Sequence, residues 1–322
     1  MSEAQPQRMP TREGVLQAAA KMAAILPSTP LIPLEIGNSL VWIKAECLQP
    51  VGAFKIRGAW HRLSALDEAE RAAGVVAVSS GNHAQGVAWA AKRLGIEATI
   101  VMPQDAPPIK LGRTRELGAQ VVTYDRMTEN REEIAQALAA QKGAAYVHAF
   151  ADPWVIEGQG SAGVEVLEQL AAQGAAQPTR ILACCGGGGL SAGLALACPE
   201  ALVVPVEPEG WDDVCRSIET GEIQSVKPSP PATACDALQT FQTGAINFAV
   251  LKELCQYGLR VSEDEVREAQ RFAFTHLRLV LEPGGAVALA AAISGKADLD
   301  GTTVIILSGG NVDPQQFAQI LS

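Results

Sequence analysis

The chain has 322 residues, 48% hydrophobic and 19% charged, with a formal net charge of −10. That length suits two packed domains or one large one; the acidic balance argues against a nucleic-acid partner, whose phosphates need clustered Lys and Arg; and no run of 18 apolar residues exists, so no transmembrane helix is expected. The seven cysteines are scattered without a Cys-x-x-Cys pair, and residues 1–10 lack an apolar signal core, so a cytoplasmic protein with reduced thiols is expected rather than a disulfide framework or a zinc site.

In chain order, short β-branched runs alternate with Ala-rich stretches. Residues 75–79 read as a strand and 84–94 as a helix, then 98–102 as a strand and 110–117 as a helix. A strand over 120–124, a helix over 129–141 and a strand over 145–148 follow. The pattern resumes with a helix over 160–171, strands over 180–184 and 202–206, helices over 263–277 and 285–293, and a last strand over 303–307. Residues 175–179 and 227–232 read as loops. This order predicts the α/β class, with parallel sheets covered by helices on both faces. Two lobes are expected, the smaller in the first half, with a ligand in the cleft between them.

Four segments carry chemistry. Lys55 lies between Phe54 and Ile56 in a glycine-bounded run. Apolar neighbours desolvate an amine and depress its pKa, which prepares a lysine as nucleophile or Schiff-base partner; a snorkelling side chain is the alternative. Gly186, Gly187, Gly188 and Gly189 follow an apolar strand and open an Ala-rich helix. Their N–H groups can approach an anion without Cβ obstruction, and the helix N-terminus favours negative charge. No Gly-Lys-Ser/Thr follows, and Ser191 stands where a dinucleotide fingerprint needs its third glycine. The segment Ser79-Ser80-Gly81-Asn82-His83 also ends a strand and opens a helix, an arrangement suited to a carboxylate. Ser308 follows the last strand, where ligands bind in open α/β sheets.

Together these segments resemble the fold-type II pyridoxal phosphate (PLP) enzymes, specifically the serine/threonine dehydratase and serine racemase group, which includes 3-hydroxyaspartate dehydratases. The resemblance runs from about Leu31 to Asp313. It implies two open parallel-sheet lobes with the cofactor in the cleft, a large domain of residues 1–49 and 152–322, a small domain of 50–151, and a homodimer. Lys55 matches the lysine that carries the cofactor as a Schiff base, and Phe54 its flanking residue. Gly186 to Gly189 match the phosphate cup, Asn82 the amide on the phenolic oxygen, and Ser308 the hydroxyl on the pyridine nitrogen. The implied reaction is β-elimination of water from a β-hydroxy amino acid of the L-serine or L-threonine type, giving a 2-oxo acid and ammonia, with Lys55 as the Cα base.

Other positions bear on substrate and metal. Ser80 matches the serine that performs the second proton transfer in racemases, so racemisation by a Lys55/Ser80 pair stays open beside a capping role. Ser79, Gly81, His83 and Thr240 fall where the family meets the substrate. Arg131 aligns with an arginine that meets a second carboxylate, which favours 3-hydroxyaspartate; a surface pair with a nearby Glu is the alternative. Glu207, Trp211 (by its carbonyl) and Asp213 resemble the group's divalent-cation site, with oxygen ligands suited to Mg²⁺, Ca²⁺ or Mn²⁺. Phe150 stands where threonine dehydratases carry phenylalanine and serine racemases asparagine. Biosynthetic threonine dehydratases carry a C-terminal regulatory domain; with the chain ending at Ser322, feedback through such a domain is not expected.

Overall fold

The computed structural model describes residues 8–106 and 108–322; the first seven of the ten N-terminal residues weighed above lie outside the described residues. The chain opens with helix α1 (Arg12–Ala23) and the hairpin β1 (Leu31–Ile36) and β2 (Ser39–Lys44), then helices α2 (Lys55–Ser64) and α3 (Glu68–Ala73). A four-stranded unit follows: β3 (Val75–Val78), α4 (Asn82–Leu94), β4 (Ala98–Pro103), α5 (Pro108–Glu116), β5 (Gln120–Tyr124), α6 (Arg131–Lys142) and β6 (Ala145–Tyr146). Helix α7 (Pro153–Ala172) leads to β7 (Arg180–Cys184), α8 (Gly189–Ala197), β8 (Leu202–Pro208), α9 (Asp213–Thr220), α10 (Ala245–Leu254) and β9 (Leu259–Val261). Helices α11 (Glu263–Phe272) and α12 (Pro283–Ile293), strand β10 (Thr303–Ile306) and helix α13 (Pro314–Leu321) complete it.

The strands form two sheets, ordered β1-β2-β10-β7-β8-β9 and β5-β4-β3-β6. All neighbours pair in parallel except β1 and β2. The two-lobe α/β expectation holds, with an antiparallel edge hairpin added. Strand β1 carries Pro33, and a strand with a proline is tolerated at an edge, where its missing N–H costs no ladder bond. Strands β3 and β4 are buried along their whole length, as parallel strands covered on both faces must be. The helix read from residue 160 begins at Pro153, because Asp152 accepts from Val155 N at 3.1 Å and proline suits the first helical position. The helix read over 263–277 is α-helical only to Phe272; Ala273–Leu277 is a π-helical turn ended by Arg278 at φ 61°.

Two connections place the reactive segments. The chain after β2 runs beside the chain after β10. Cys47 N donates to the Leu307 carbonyl, Phe54 N to that of Ser308, and Gly310 N to that of Gly52, at 2.8, 3.1 and 2.8 Å. Below this seam lies a buried ionic network. Arg57, in α2, donates from Nε and Nη2 to Glu46 at 2.7 and 2.8 Å, and from Nη1 and Nη2 to Glu165 of α7 at 2.7 and 2.8 Å. Lys44 Nζ donates to Glu165 at 2.5 Å and to the Thr29 carbonyl at 2.9 Å. Lys44, Glu46 and Arg57 are fully buried. Burial alone would raise the Glu46 carboxyl, but the Arg57 charge and hydrogen bonds outweigh it and hold it at about 2.

Removing one member of such a network strands the others without partners, which costs about 3–5 kcal/mol. Arg57→Ala is therefore expected to lower the stability of the apo protein by that order in urea unfolding. A loss under about 1 kcal/mol, the range of an exposed pair, would contradict the network's role.

Candidate active site

The loops after β3, β7 and β10 all leave the carboxyl ends of parallel strands, where the ligand crevice of open α/β sheets forms. They line one cleft of about 750 Å³ between the two sheets' loops. Phe54, Lys55, Ser79, Ser80, Gly81, Asn82, His83, Arg131, the four glycines 186–189, Thr240 and Ser308 all face it. Residues far apart in sequence are thus brought to one place, as the resemblance implied.

Lys55 is the first residue of α2, where the helix dipole disfavours a cation. Its Nζ donates to the Ala149 carbonyl at 2.9 Å and lies 5.1 Å from the centre of the Phe54 ring. Burial depresses its ammonium to about 8. No carboxylate is hydrogen-bonded to Lys55 among the described residues, so nothing offsets the loss of solvation by direct pairing.

The glycine loop ends at Gly188, the N-cap of α8, with φ 82°, a left-handed conformation that a side chain strains. A Cβ on Gly187 would run into the Phe150 ring, and one on Gly186 would lie 3.2 Å from Thr240 Oγ1. The Phe150 ring and the Thr240 hydroxyl thus occupy space that side chains on the loop would need, and the loop forms a cradle of bare backbone.

Ser308 Oγ accepts from the Cys184 thiol at 3.1 Å. Burial pushes that thiol up to about 11, so it keeps its proton and leaves the Ser308 hydroxyl proton for another acceptor. Asn82 Nδ2 donates to Glu282 Oε1 at 2.5 Å, and its Oδ1 accepts from Asn311 Nδ2 at 2.8 Å. Glu282 stands at the N-cap of α12, yet its side chain makes no cap bond. Burial pushes its carboxyl up to about 7.

His83 is buried, with Nε2 3.0 Å from the Val147 carbonyl, and burial lowers it to about 3. It is neutral and gives a carboxylate no positive charge. The His148 ring sits edge-on to Phe150 at 4.5 Å. Arg131, the first residue of α6, is half-exposed on the cleft wall, with Nε 3.6 Å from Glu132, which also accepts from the Tyr146 hydroxyl. Arg131 thus lines the cleft and also stands beside a surface glutamate.

Glu207 and Asp213 lie outside the cleft, both fully buried. Glu207 accepts from Val214 N and Cys215 N at 3.3 and 2.7 Å, and Asp213 Oδ2 from Thr243 N at 3.0 Å. Asp213 Oδ1 is buried without a partner. Burial raises both carboxyls, Asp213 to about 7. Trp211 Nε1 donates to the Pro231 carbonyl at 2.9 Å. Among the described residues no three His, Cys, Asp or Glu side chains form a metal cluster. All seven cysteines are free and buried.

Sequence reasoning missed Glu282, Cys184 and Asn311. Glu282 carried a signal: a carboxylate between Leu281 and Pro283, just before an apolar helix.

Two parallel sheets, a cleft at their carboxyl ends, a desolvated lysine and a glycine cradle define a PLP enzyme of the two-lobe type. The chain belongs to the pyridoxal-phosphate dependent enzyme family, whose profile it matches over residues 25–309. It is 43% identical to an L-threo-3-hydroxyaspartate ammonia-lyase of Pseudomonas sp., over 95% of this chain and 97% of that one. It is 38% identical to a serine racemase of Schizosaccharomyces pombe, covering 98% of each. The crystal structure of a T.th. threonine deaminase superposes with a TM-score of 0.87 at 43% identity, over 94% of this chain and 99% of that one.

A buried carboxyl raised from 4.5 to about 7 binds its proton more tightly folded than unfolded. Its contribution to stability is present below about 4.5 and is lost as pH rises through about 7. Glu282→Gln keeps the acceptor for Asn82 and removes this dependence. The difference in urea midpoint between the apo proteins is expected to move in the variant's favour from about pH 5 to about pH 8. A difference that stays constant across that range would place the ionised form in the folded chain.

Proposed function

We propose that this chain is a PLP-dependent dehydratase (ammonia-lyase) whose preferred substrate is a β-hydroxy amino acid with a second carboxylate, the 3-hydroxyaspartate class. The observation that carries the choice is Arg131, whose guanidinium stands on the wall of the cleft holding Lys55 and Ser80. A guanidinium fork matches a carboxylate, and a relative acting on L-threo-3-hydroxyaspartate shares 43% of residues. L-serine and L-threonine are the second reading, favoured by Phe150, an apolar wall beside the glycine loop.

Bound PLP supplies an electron sink for negative charge at Cα. The glycine N–H groups and the head of α8 hold its phosphate. Ser308, with the Cys184 thiol on its oxygen, would donate a hydrogen bond to the ring nitrogen and leave that nitrogen unprotonated, so negative charge stays at Cα. Asn82 meets the phenolic oxygen. Lys55, near 8, has an unprotonated fraction at neutral pH and takes the Cα proton on one face. The Cα proton and the β-hydroxyl would be lost together as water, and the released enamine would hydrolyse to a 2-oxo acid and ammonia. Ser79, Gly81 and Thr240 receive the α-carboxylate, and His83 shapes the floor. Ser80 on the opposite face would return a proton, so racemisation by the Lys55/Ser80 pair is the competing outcome.

Glu207, the Trp211 carbonyl and Asp213 would hold a divalent cation, Mg²⁺ in this reading. The support is two buried carboxyls with one orphaned oxygen, a donor set suited to a hard cation. The domain division at residues 50–151, a homodimer and a cytoplasmic location belong to the same proposal. The free thiols support the last.

A substrate panel of both 3-hydroxyaspartate diastereomers, L-serine and L-threonine tests the choice. A charged hydrogen-bonded contact contributes about 1.5–3 kcal/mol. Arg131→Ala should therefore lower kcat/KM for 3-hydroxyaspartate roughly 10- to 100-fold and leave L-serine within about threefold. Equal losses on both substrates, or L-threonine as the best wild-type substrate, would defeat the dicarboxylate reading. Lys55→Ala should abolish the visible band of bound cofactor.

A further inference from the structure

A loop that holds an anion with its N–H groups must turn its carbonyls the other way. Each carbonyl so turned, when buried, needs a donor. Gly187 is buried at the middle of the glycine loop, with its Cα face closed by the Phe150 ring. Its carbonyl accepts from Thr243 Oγ1 at 3.1 Å. Thr243 is itself buried, at 3% exposure, and its backbone N donates to Asp213 Oδ2 at 3.0 Å. It also stands beside the next residue, since a Cβ on Gly188 would lie 3.3 Å from its hydroxyl. One residue therefore joins the loop, through its hydroxyl, to a buried carboxyl outside the cleft, through its backbone N–H.

We propose that Thr243 is a positioning residue for the phosphate cup: its hydroxyl holds the Gly187 carbonyl outward, and Asp213 holds Thr243. Without that hydroxyl the carbonyl is an orphan. It regains a donor only by rotating toward solvent, which turns its negative end into the space the phosphate occupies. Thr243 touches neither cofactor nor substrate and acts through the orientation of one peptide unit. The inference rests on the assignment of the glycine loop to PLP and is independent of which amino acid is the substrate.

The test compares PLP with pyridoxal, which lacks the phosphate, by spectroscopic titration of the apo full-length protein. Thr243→Val keeps the branched shape and loses the hydroxyl. It should weaken PLP about tenfold, equal to about 1.4 kcal/mol, and leave pyridoxal within about twofold. Thr243→Ser should restore PLP affinity, and Thr243→Ala should repeat the selective loss if the valine variant folds poorly. In a cycle with Asp213→Ala the combined penalty should fall short of the sum; full additivity would remove Asp213 from the arrangement. PLP binding unchanged in both Thr243→Val and Thr243→Ala overturns the proposal, as does an equal loss for pyridoxal. A wild-type protein that takes up neither compound overturns the cofactor assignment itself, and a surprise in the substrate panel touches neither.

Discussion

Arg57 is the constraint on which the site depends. It sits two residues beyond Lys55 on the same helix and is gripped by Glu46 and Glu165. Glu46 follows the large sheet's β2, and Glu165 belongs to α7, so α2 is bolted to the larger lobe although it packs against α4 of the smaller one. Lys44 closes the network by reaching Glu165 and the Thr29 carbonyl. Fixing α2 fixes where Lys55 begins. The seam from Cys47 to Phe54 along the chain after β10 then places Ser308 in register with it. Lys55, the candidate Schiff-base lysine, and Ser308, the candidate ring-nitrogen partner, are set by one strip of backbone hydrogen bonds. A buried ionic network is a costly way to achieve this, because each ion is desolvated. Its geometry is specific where apolar packing would allow α2 to slide.

The parts legible in the sequence were those whose signal is local. Lys55 stands out by its apolar neighbours, and the glycine run by the strand before it and the helix after it. The β-α alternation gave both sheets because parallel strands buried on both faces read as continuous β-branched runs. The hairpin β1–β2 was missed because an edge strand with Pro33 and alternating burial carries a weak pattern. The start of α7 was missed because its glycines lie inside the helix. Gly158 packs on the Arg57 carbonyl and Gly160 on Gly193, contacts that only the fold creates. Glu282 and Asn82 are 200 residues apart and Cys184 and Ser308 are 124 apart, so no window of sequence shows them as pairs.

The same burial explains the electrostatic character of the cleft. Lys55 is lowered to about 8, His83 to about 3, Glu282 is raised to about 7 and the Cys184 thiol to about 11. Each shift runs toward the neutral form, the signature of desolvation rather than of pairing. In the proposed reading the phosphate is held by dipoles, the N–H groups of the glycine loop and the head of α8, while the cleft's full positive charges stand on Lys110, Arg113, Arg131 and Arg267. Dipoles hold an anion only while they point at it. That requirement falls on the carbonyls as much as on the N–H groups, and in the proposed reading it makes Thr243, a partner of the glycine loop outside the cleft, part of its chemistry.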